Sequence, residues 1–423
     1  ESYGMKWASR VDSNSTMENT GTIDIKGDGT TTSPSGDEVI GNSLSSGIAV
    51  VEDGDYKNAN AIRAWTDKVK NNGTINVSGG KGNTGMVLIV NAPDDITNDM
   101  NGTINVSSTK GRQNIAMRVD KTTNVPTDAA GTPKAINNGT INLDGDSSIG
   151  MVGTNADVVN NANKTIGTTS GKSIINGIGM ATSGGTLNNS GKIELKGTGV
   201  STNVGVYMTK GTGNPSGTLA STSNITVKGT NSTGVLVTNG TLNYGGNITA
   251  EGNGVSGLII GDNASNTTNA TITNNGLITV NNGTAAAGIY TYTDNSSGTP
   301  VTVKKGSYGI VVGKNSKLIS SGANSINVDA NVKGAESIGV YSGENALEDD
   351  VSRDRFLVKM MYILLLKRLE SSWFSFHTTV NKILQHHQNV LAKIENYQKY
   401  KSNETLSQTS LFTDDDEDLQ EYT

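Results

Sequence analysis

The stretch Asn71-Asn72-Gly73-Thr74-Ile75-Asn76-Val77 decides how the rest of the chain is interpreted, because it recurs along most of the sequence. Asn and Gly tolerate positive φ angles and turn the chain, after which Thr-Ile-Asn-Val alternates polar and apolar side chains with a period of two. The pattern predicts a turn followed by a short strand. Clear copies occupy residues 19–25, 101–106, 137–143, 188–195 and 274–280, and weaker ones occupy 163–166, 224–227, 247–250 and 324–328.

A second phrase, built on Gly beside Ile, Val, Leu or Met, follows most copies of the first. Its copies occupy residues 46–50, 84–88, 148–152, 204–207, 233–237, 256–260, 287–290, 308–312 and 337–341. Fainter segments at 185–187, 217–219, 240–244 and 317–319 fit a further strand. Each repeat therefore carries at least two short strands and up to three.

The spacing of the repeats predicts a solenoid. The first-phrase isoleucines stand at positions 23, 75, 104, 141, 166, 193, 225, 248, 278 and 326, mostly 23 to 37 residues apart, with longer gaps that can hold a loop or a degenerate coil. Periods of this size are typical of solenoids, and residues 16–341 offer no helical periodicity of useful length. We predict a β-helix of about ten coils, roughly 50 Å long. The isoleucines expected to stack on one inner face include Ile75, Ile104, Ile141, Ile193 and Ile278.

The composition agrees with a thin core and restricts the function. The chain has 53 Gly and only 4% aromatic residues, too little large apolar side chain for a broad globular core. Its net charge of −6 argues against nucleic-acid binding by the solenoid. The absence of Cys excludes disulfides and thiolate metal sites, and fits export through an oxidising compartment. Because Glu1 is not preceded by a leader, we expect an internal or processed fragment.

The composition changes abruptly at residues 347–351. Every Gly lies at or before Gly343, whereas all four Phe and all three His lie after it. Residues 354–401 contain no Gly or Pro, and their apolar residues recur three and four apart, which predicts a helix. The predicted class is all-β, a parallel β-helix followed by a short α-helical segment. The predicted domains are β-helical repeats over 1–348, a helix of unrelated origin over 349–401 and an acidic disordered tail over 402–423.

The alternation of Asn-Asn-Gly-Thr-Ile-Asn-Val with Gly-Ile-Gly-Val-Tyr resembles the passenger region of large bacterial autotransporter adhesins, particularly the Asn/Gly-rich fusobacterial kind. Residues 12–345 carry the resemblance. It implies a right-handed parallel β-helix exported to the cell surface. Its expected partners are protein or glycan ligands on host or partner cells. Family members end in a membrane β-barrel, so contact with the outer membrane is expected only through such a translocator, missing here, in the intact parent.

A second resemblance covers residues 354–401. The stretch Leu365-Leu366-Lys367-Arg368-Leu369-Glu370-Ser371-Ser372, followed by Trp373-Phe374-Ser375-Phe376, resembles a long helix in the C-terminal half of bacterial Swi/Snf-like helicases. No ATPase machinery accompanies it, because Ser170-Gly171-Lys172-Ser173 has Ile166 where a phosphate loop needs Gly. We interpret the chain as chimeric, joined near residue 348.

Carboxylates are the candidates for catalysis, since some β-helices are polysaccharide lyases or glycosidases that use paired acids on one strand face. Here Asp24, Asp144, Glu194 and Glu251 each stand beside or within a strand without a second acid nearby in sequence. Stacking of coils remains a way to bring acids together. We nevertheless predict solvated outward positions and no catalysis.

Metal and cofactor sites are not predicted. Asp94-Asp95, Asp53-Gly54-Asp55 and Lys26-Gly27-Asp28-Gly29 lack the ligand number of a Ca²⁺ loop and are interpreted as turns. His386 and His387 are adjacent, so on a helix they point about 100° apart and do not chelate one metal ion. The apolar run at 360–366 is too short to span a membrane.

The sequence therefore predicts a surface-exposed autotransporter passenger that acts as an adhesin or structural stalk without turnover. A β-helical carbohydrate-active enzyme is one alternative, which a cluster of carboxylates on one strand face would favour. A helicase fragment is the other alternative, if the C-terminal segment defines the protein.

Overall fold

The computed structural model describes residues 3–7, 16–26, 30–32, 38–40, 45–51, 68–78, 82–90, 93–107, 114–121, 131–261, 270–274, 276–281, 290–293, 300–303, 307–313, 316–320, 325–328, 338–342, 347–348 and 381–393. Contacts between Cα atoms divide the chain into two units, residues 1–349 and 350–423. The first unit holds the strands and the second holds one described helix, α1, over residues 381–393.

The described strands are numbered β1 to β36 in chain order, and all but four of them form three long parallel sheets. Sheet A contains β1 (Tyr3–Trp7), β6 (Ser46–Val51), β9 (Thr84–Val90), β12 (Ile115–Lys121), β15 (Ile149–Thr154), β18 (Ile178–Ser183), β21 (Val204–Thr209), β24 (Thr233–Val237), β27 (Ser256–Ile260), β32 (Tyr308–Val312) and β35 (Ile338–Ser342). Sheet B contains β2 (Met17–Asn19), β7 (Val69–Asn71), β10 (Asp95–Asn98), β13 (Lys134–Asn137), β16 (Asp157–Asn160), β19 (Thr186–Asn189), β22 (Ser216–Leu219), β25 (Gly240–Tyr244), β28 (Ala270–Asn274), β33 (Lys317–Ser320) and β36 (Leu347–Glu348). Sheet C contains β3 (Thr22–Ile25), β8 (Thr74–Val77), β11 (Thr103–Val106), β14 (Thr140–Leu143), β17 (Thr165–Gly167), β20 (Lys192–Val200), β23 (Asn224–Thr230), β26 (Asn247–Glu251), β29 (Leu277–Asn281) and β34 (Ser325–Val328).

The chain visits the sheets in the order A, B, C and then repeats, so each visit to all three is one coil of a parallel β-helix. The second sequence phrase forms sheet A, the faint third strand forms sheet B, and the Thr-Ile-Asn-Val phrase forms sheet C. The copy of the second phrase predicted at 287–290 is the exception, because Tyr290 begins a hairpin strand and residues 287–289 lie outside the described residues. Two antiparallel hairpins interrupt the coils: β4 (Thr30–Thr32) with β5 (Glu38–Ile40), and β30 (Tyr290–Thr293) with β31 (Pro300–Val303). They lie in the two longest gaps of the isoleucine spacing. The predicted fold class is confirmed.

The isoleucine column of sheet C is the centre of the core. Its strands pair in register, so that the first-phrase isoleucines from Ile23 to Ile326 face one another from coil to coil. The five named in the prediction, Ile75, Ile104, Ile141, Ile193 and Ile278, are fully buried. The prediction of one inner isoleucine face is therefore confirmed.

A column of glycines in sheet A packs against these isoleucines. A Cβ atom added at Gly179 would lie 2.5 Å from the Gly205 carbonyl oxygen and 2.5 Å from Cγ2 of Ile193, which is well inside ordinary carbon contact. The same conflict recurs along the stack. Its members are Gly4, Gly47, Gly85, Gly150, Gly179, Gly205, Gly234, Gly257 and Gly309, with Ala116 in the fourth coil. The second phrase is built on Gly because the isoleucine of the same coil rests directly on its backbone.

A buried amide column closes the corner between sheets B and C. It consists of Asn19, Asn71, Asn98, Asn137, Asn160 and Asn189, each the last residue of a sheet B strand. Every Nδ2 donates to the Oδ1 of the next member at 2.8–2.9 Å, and the last donates to Ser223 Oγ at 2.7 Å. Buried polar groups must be paired, and here each amide satisfies its neighbour. The Asn-rich composition therefore has a structural cause.

The buried amide column ends where the side chains change. Leu219 and Tyr244 occupy its register in the next two coils. The Tyr244 hydroxyl donates to the Leu277 carbonyl oxygen at 2.5 Å, and burial of the ring raises the pKa of Tyr244. In the coil of Tyr244 an aromatic ring thus fills the corner position that an Asn side chain fills in earlier coils.

Helix α1 confirms helical structure for residues 381–393 alone, since the remainder of the predicted segment 354–401 lies outside the described residues. Ile383 is half-buried, whereas Leu384, Val390 and Leu391 are 55%, 41% and 58% exposed. The origin of residues 349–401 and the disorder of residues 402–423 stay predictions.

Candidate functional site

The outer face of sheet C is a regular polar array. Because Thr-Ile-Asn-Val alternates, Ile and Val point inward while Thr and Asn point outward. In-register stacking places one threonine above another through Thr22, Thr74, Thr103 and Thr140. Successive coils lie about 4.8 Å apart, and the Thr and Asn of one strand lie roughly 7 Å apart. Hydroxyl and amide groups therefore recur on a two-dimensional grid.

An outer amide column, consisting of Asp24, Asn76, Asn105 and Asn142, runs beside the threonines. Asn76 donates to Asp24 at 2.8 Å, Asn105 to Asn76 at 2.8 Å and Asn142 to Asn105 at 2.7 Å. Each of these bonds uses one of the two amide hydrogens of its donor. The column is a row of pre-oriented donors and acceptors.

Ion pairs replace amides farther along the same face. On β20, Glu194 lies 2.5 Å from Lys192 and 3.3 Å from Lys196, both on the same strand face. These lysines, Lys192 first, lower the pKa of Glu194 against an opposing effect of burial. Two coils on, Glu251 lies 2.7 Å from Lys228. Both acids of this part of the face are therefore paired with lysines.

The four candidate catalytic acids are not brought together. Asp24 ends the outer amide column and lies 3.8 Å from Lys26. Asp144 accepts hydrogen bonds from the backbone N–H and the hydroxyl of Thr169 at 2.8–2.9 Å, which fixes the turn after β17. Five coils separate Asp24 from Glu194, about 24 Å at 4.8 Å per coil.

Glu194 and Glu251 are also kept apart. Their strands, β20 and β26, have β23 between them, and Glu251 pairs in register with Lys228 rather than with the position of Glu194. A lysine therefore stands between the two carboxylates. Neither Asp24 with Glu194 nor Glu194 with Glu251 therefore forms the carboxylate cluster on one strand face that would favour a carbohydrate-active enzyme.

The remaining sequence candidates are placed as follows. Asp94 and Asp95 are buried at the start of β10, and the Asp94 carbonyl oxygen accepts the Lys134 N–H at 2.8 Å. Residues 53–55 and 27–29 lie outside the described residues. His386 and His387 are exposed on α1, with ring centroids 6.3 Å apart and ring planes at 80°. Across the described ranges, no group of three or more His, Cys, Asp or Glu is positioned to hold a metal ion.

The near match to a phosphate loop lies in a turn. Residues 170–173 follow β17, and the Lys172 N–H donates to the Thr169 carbonyl oxygen at 3.2 Å. Gly171 adopts φ +77°, and the next described element is a strand of sheet A rather than a helix. The segment thus lacks the strand-loop-helix context of a phosphate site.

Sheet A presents a different outer surface, which sequence reasoning did not single out. Residues such as Val152, Tyr207 and Leu236 point outward and are half-buried. The signal was available in the second phrase, whose runs Gly-Val-Leu-Val and Gly-Leu-Ile-Ile are apolar at consecutive positions, whereas one-sided burial needs only alternate ones. This surface is considered further below.

Comparison of the chain with protein-family profiles, curated proteins and solved structures finds no match. Among the described helical residues, none forms a helix long and apolar enough to cross a membrane.

Proposed function

We propose that residues 12–345 are the passenger of a surface-exposed autotransporter adhesin or stalk, which binds ligands on host or partner cells without turnover. The observation that carries the proposal is the grid of outward Thr and Asn on sheet C. The Asn/Gly-rich phrases that resemble such passengers support the same assignment.

The chemistry of the grid favours ligands rich in hydroxyl groups. Amide and hydroxyl side chains hydrogen-bond a glycan or an extended peptide but do not ionise near neutral pH. Repetition increases the affinity of such binding, because once one contact has formed, further contacts along the same ligand form intramolecularly. We therefore propose glycan surfaces as the first ligand class to examine.

Binding is tested with the purified chain on an array of host and bacterial glycans. The variant Asn76→Ala/Asn105→Ala/Asn142→Ala removes the outer amide column, and we expect it to lose binding at least tenfold. The matched control Asn188→Ala/Asn243→Ala removes two outward amides from sheet B, where we expect wild-type binding. Equal binding by both variants contradicts the assignment of the ligand to sheet C.

The absence of turnover is tested on polysaccharide substrates. We expect no cleavage by the wild-type chain. Reproducible cleavage that is abolished in Asp144→Asn or Glu194→Gln would establish the enzyme alternative instead. For the intact parent on cells, deletion of the passenger should abolish adhesion while the translocator remains in the outer membrane.

We also propose that residues 349–401 are a fragment of an unrelated helicase-like gene, joined to the passenger near residue 348. The support is the abrupt loss of Gly and the appearance of Phe and His at the same point. Reading the genomic DNA across codons 340 to 360 tests the junction. If the passenger sequence continues uninterrupted beyond codon 348 in that genome, the junction is an assembly error.

A further inference from the structure

The outer face of sheet A between β15 and β32 is apolar. Register places the outward residues in two columns that run along the solenoid. We call this surface the apolar face. Its larger half-buried members are Ile149, Val152, Ile178, Val204, Tyr207, Leu236, Ile259 and Val311. Four further positions of the same columns, Ala181, Thr233, Ser256 and Tyr308, are buried.

The apolar face carries no charge. The six strands β15, β18, β21, β24, β27 and β32 contain no Asp, Glu, Lys or Arg, although these residues make up 17% of the chain. Charged side chains lie on the adjoining strand of sheet A, where Arg118 and Asp120 of β12 form an ion pair, and on the other sheets, for example Lys134 and Asp157 on sheet B and Glu194 on sheet C. Depletion of charged residues, together with an aromatic residue such as Tyr207, is typical of the core of a protein interface.

In the first strands of sheet A, two outward residues of the same column are buried. Ala49 and Val87 stand in register with Val152 and Tyr207 further along, and they point outward as well. Ala49 is fully buried and Val87 is 6% exposed. Within one folded chain, this column is therefore covered in some coils and half open in others.

The size of the apolar face indicates what kind of partner it takes. Six strands at about 4.8 Å each span roughly 29 Å, and five or six residues at about 3.3 Å each span roughly 17–20 Å. The face measures about 490–580 Å², so two such faces together bury about 980–1,160 Å². Stable interfaces bury about 1,200–2,000 Å², which places this contact at the weak, reversible end.

We propose that the apolar face binds the same face of a second copy of this chain, sheet against sheet. A partner must offer a flat, uncharged apolar surface about 29 Å long, and a second copy related by a two-fold axis presents one by symmetry. The charged faces of both copies then stay in solvent. Since each copy has a net charge of −6, salt screens their repulsion and strengthens the dimer.

Sedimentation velocity on the full chain, from about 1 to about 100 μM, tests the proposal. We expect a monomer–dimer equilibrium that shifts toward dimer between low and high salt. Leu236→Lys places a charge in the apolar face and should raise the dimer Kd at least tenfold. Asn243→Lys adds the same charge on sheet B of the same coil and should leave the Kd within about twofold.

Introduced thiols locate the contact independently of stability, because the chain has no Cys of its own. Single variants Tyr207→Cys, Leu236→Cys and Ile259→Cys, alone and mixed in pairs, are oxidised at about 20 μM. Disulfide dimers should form faster for at least one pair of face positions than for Asn243→Cys, whose thiol lies on sheet B.

Four results overturn the proposal. The first is that the chain stays monomeric throughout the concentration range. The second is that dimers form but Leu236→Lys does not weaken them, which assigns association to another surface such as the exposed Leu384 and Leu391 of α1. The third is that monomers float with phospholipid vesicles through the apolar face, which makes a lipid surface its partner. Cross-linking of face positions no faster than that of Asn243→Cys counts against it equally.

Discussion

Single residues of sheet A and sheet C fix how closely the two sheets approach. The glycine column has no side chains because the isoleucine of the same coil occupies their space. Ala116 is the exception at this position, fully buried in the fourth coil. The packing of the core therefore decides whether each coil has room for one methyl group at this position.

The variant Gly179→Ala should destabilise the sixth coil by about 1–3 kcal/mol, the usual cost of overpacking a full core. The added Cβ meets a backbone oxygen and Cγ2 of Ile193, neither of which is the free end of a flexible side chain. Chemical denaturation and native-state hydrogen exchange measure the effect. Gly21→Ala is the control, since nothing lies within 4 Å of its Cβ, and equal stability of both variants contradicts the argument.

Glu194 supplies a prediction for acid pH. Its pKa lies below the ordinary value of 4.5, chiefly because Lys192 and then Lys196 stabilise the carboxylate. A lowered folded pKa means that the contribution to stability is complete above the unfolded value and is lost as pH falls through the folded value. We expect the Glu194 carboxyl to titrate by NMR with a midpoint below 4.5. Lys192→Met should raise that midpoint, and a wild-type midpoint at or above 4.5 would refute the pairing.

At the scale of elements, two amide columns repeat the same chemistry at different depths. The buried amide column has no water to replace a lost partner, whereas the outer amide column has solvent beside it. An unpaired buried polar group costs about 1–3 kcal/mol, and an exposed one costs little. The columns therefore form an internal comparison of one side chain in two surroundings.

Replacing Asn137 by Ala should destabilise the adjoining coils by about 2–4 kcal/mol, because it leaves Asn98 Nδ2 and Asn160 Oδ1 without their amide partner. Asn105→Ala in the outer column should cost under about 1 kcal/mol. The stability of a solenoid depends on the contacts between neighbouring repeats. Hydrogen exchange at β13 to β16 therefore measures the local loss of stability better than the midpoint of global unfolding does. Equal costs at the two depths would show that burial does not set the strength of these bonds.

At the scale of the whole molecule, the solenoid and the isoleucine column were predictable because one phrase repeats and has a period of two. The apolar face was not predicted, since Gly150 and Met151 both face the core and shift the alternation by one residue before Val152. The partners of Glu194 can be read two residues away on its own strand. Those of Asp144 and Glu251 lie 25 and 23 residues away, so only the register of the coils reveals them.

The direction of the hydrogen bonds between coils has a mechanical consequence for a stalk. These bonds lie along the length of the stack, and a tension applied through the two chain ends loads the terminal coil first, residue by residue. The solenoid should then peel one coil at a time rather than rupture as a whole. Each coil holds mostly 23 to 37 residues, which extend to about 80–130 Å when drawn out. Force spectroscopy should record a series of steps of that length, so that the stalk lengthens severalfold and dissipates the applied load before it unfolds completely. One single large step would rule this out.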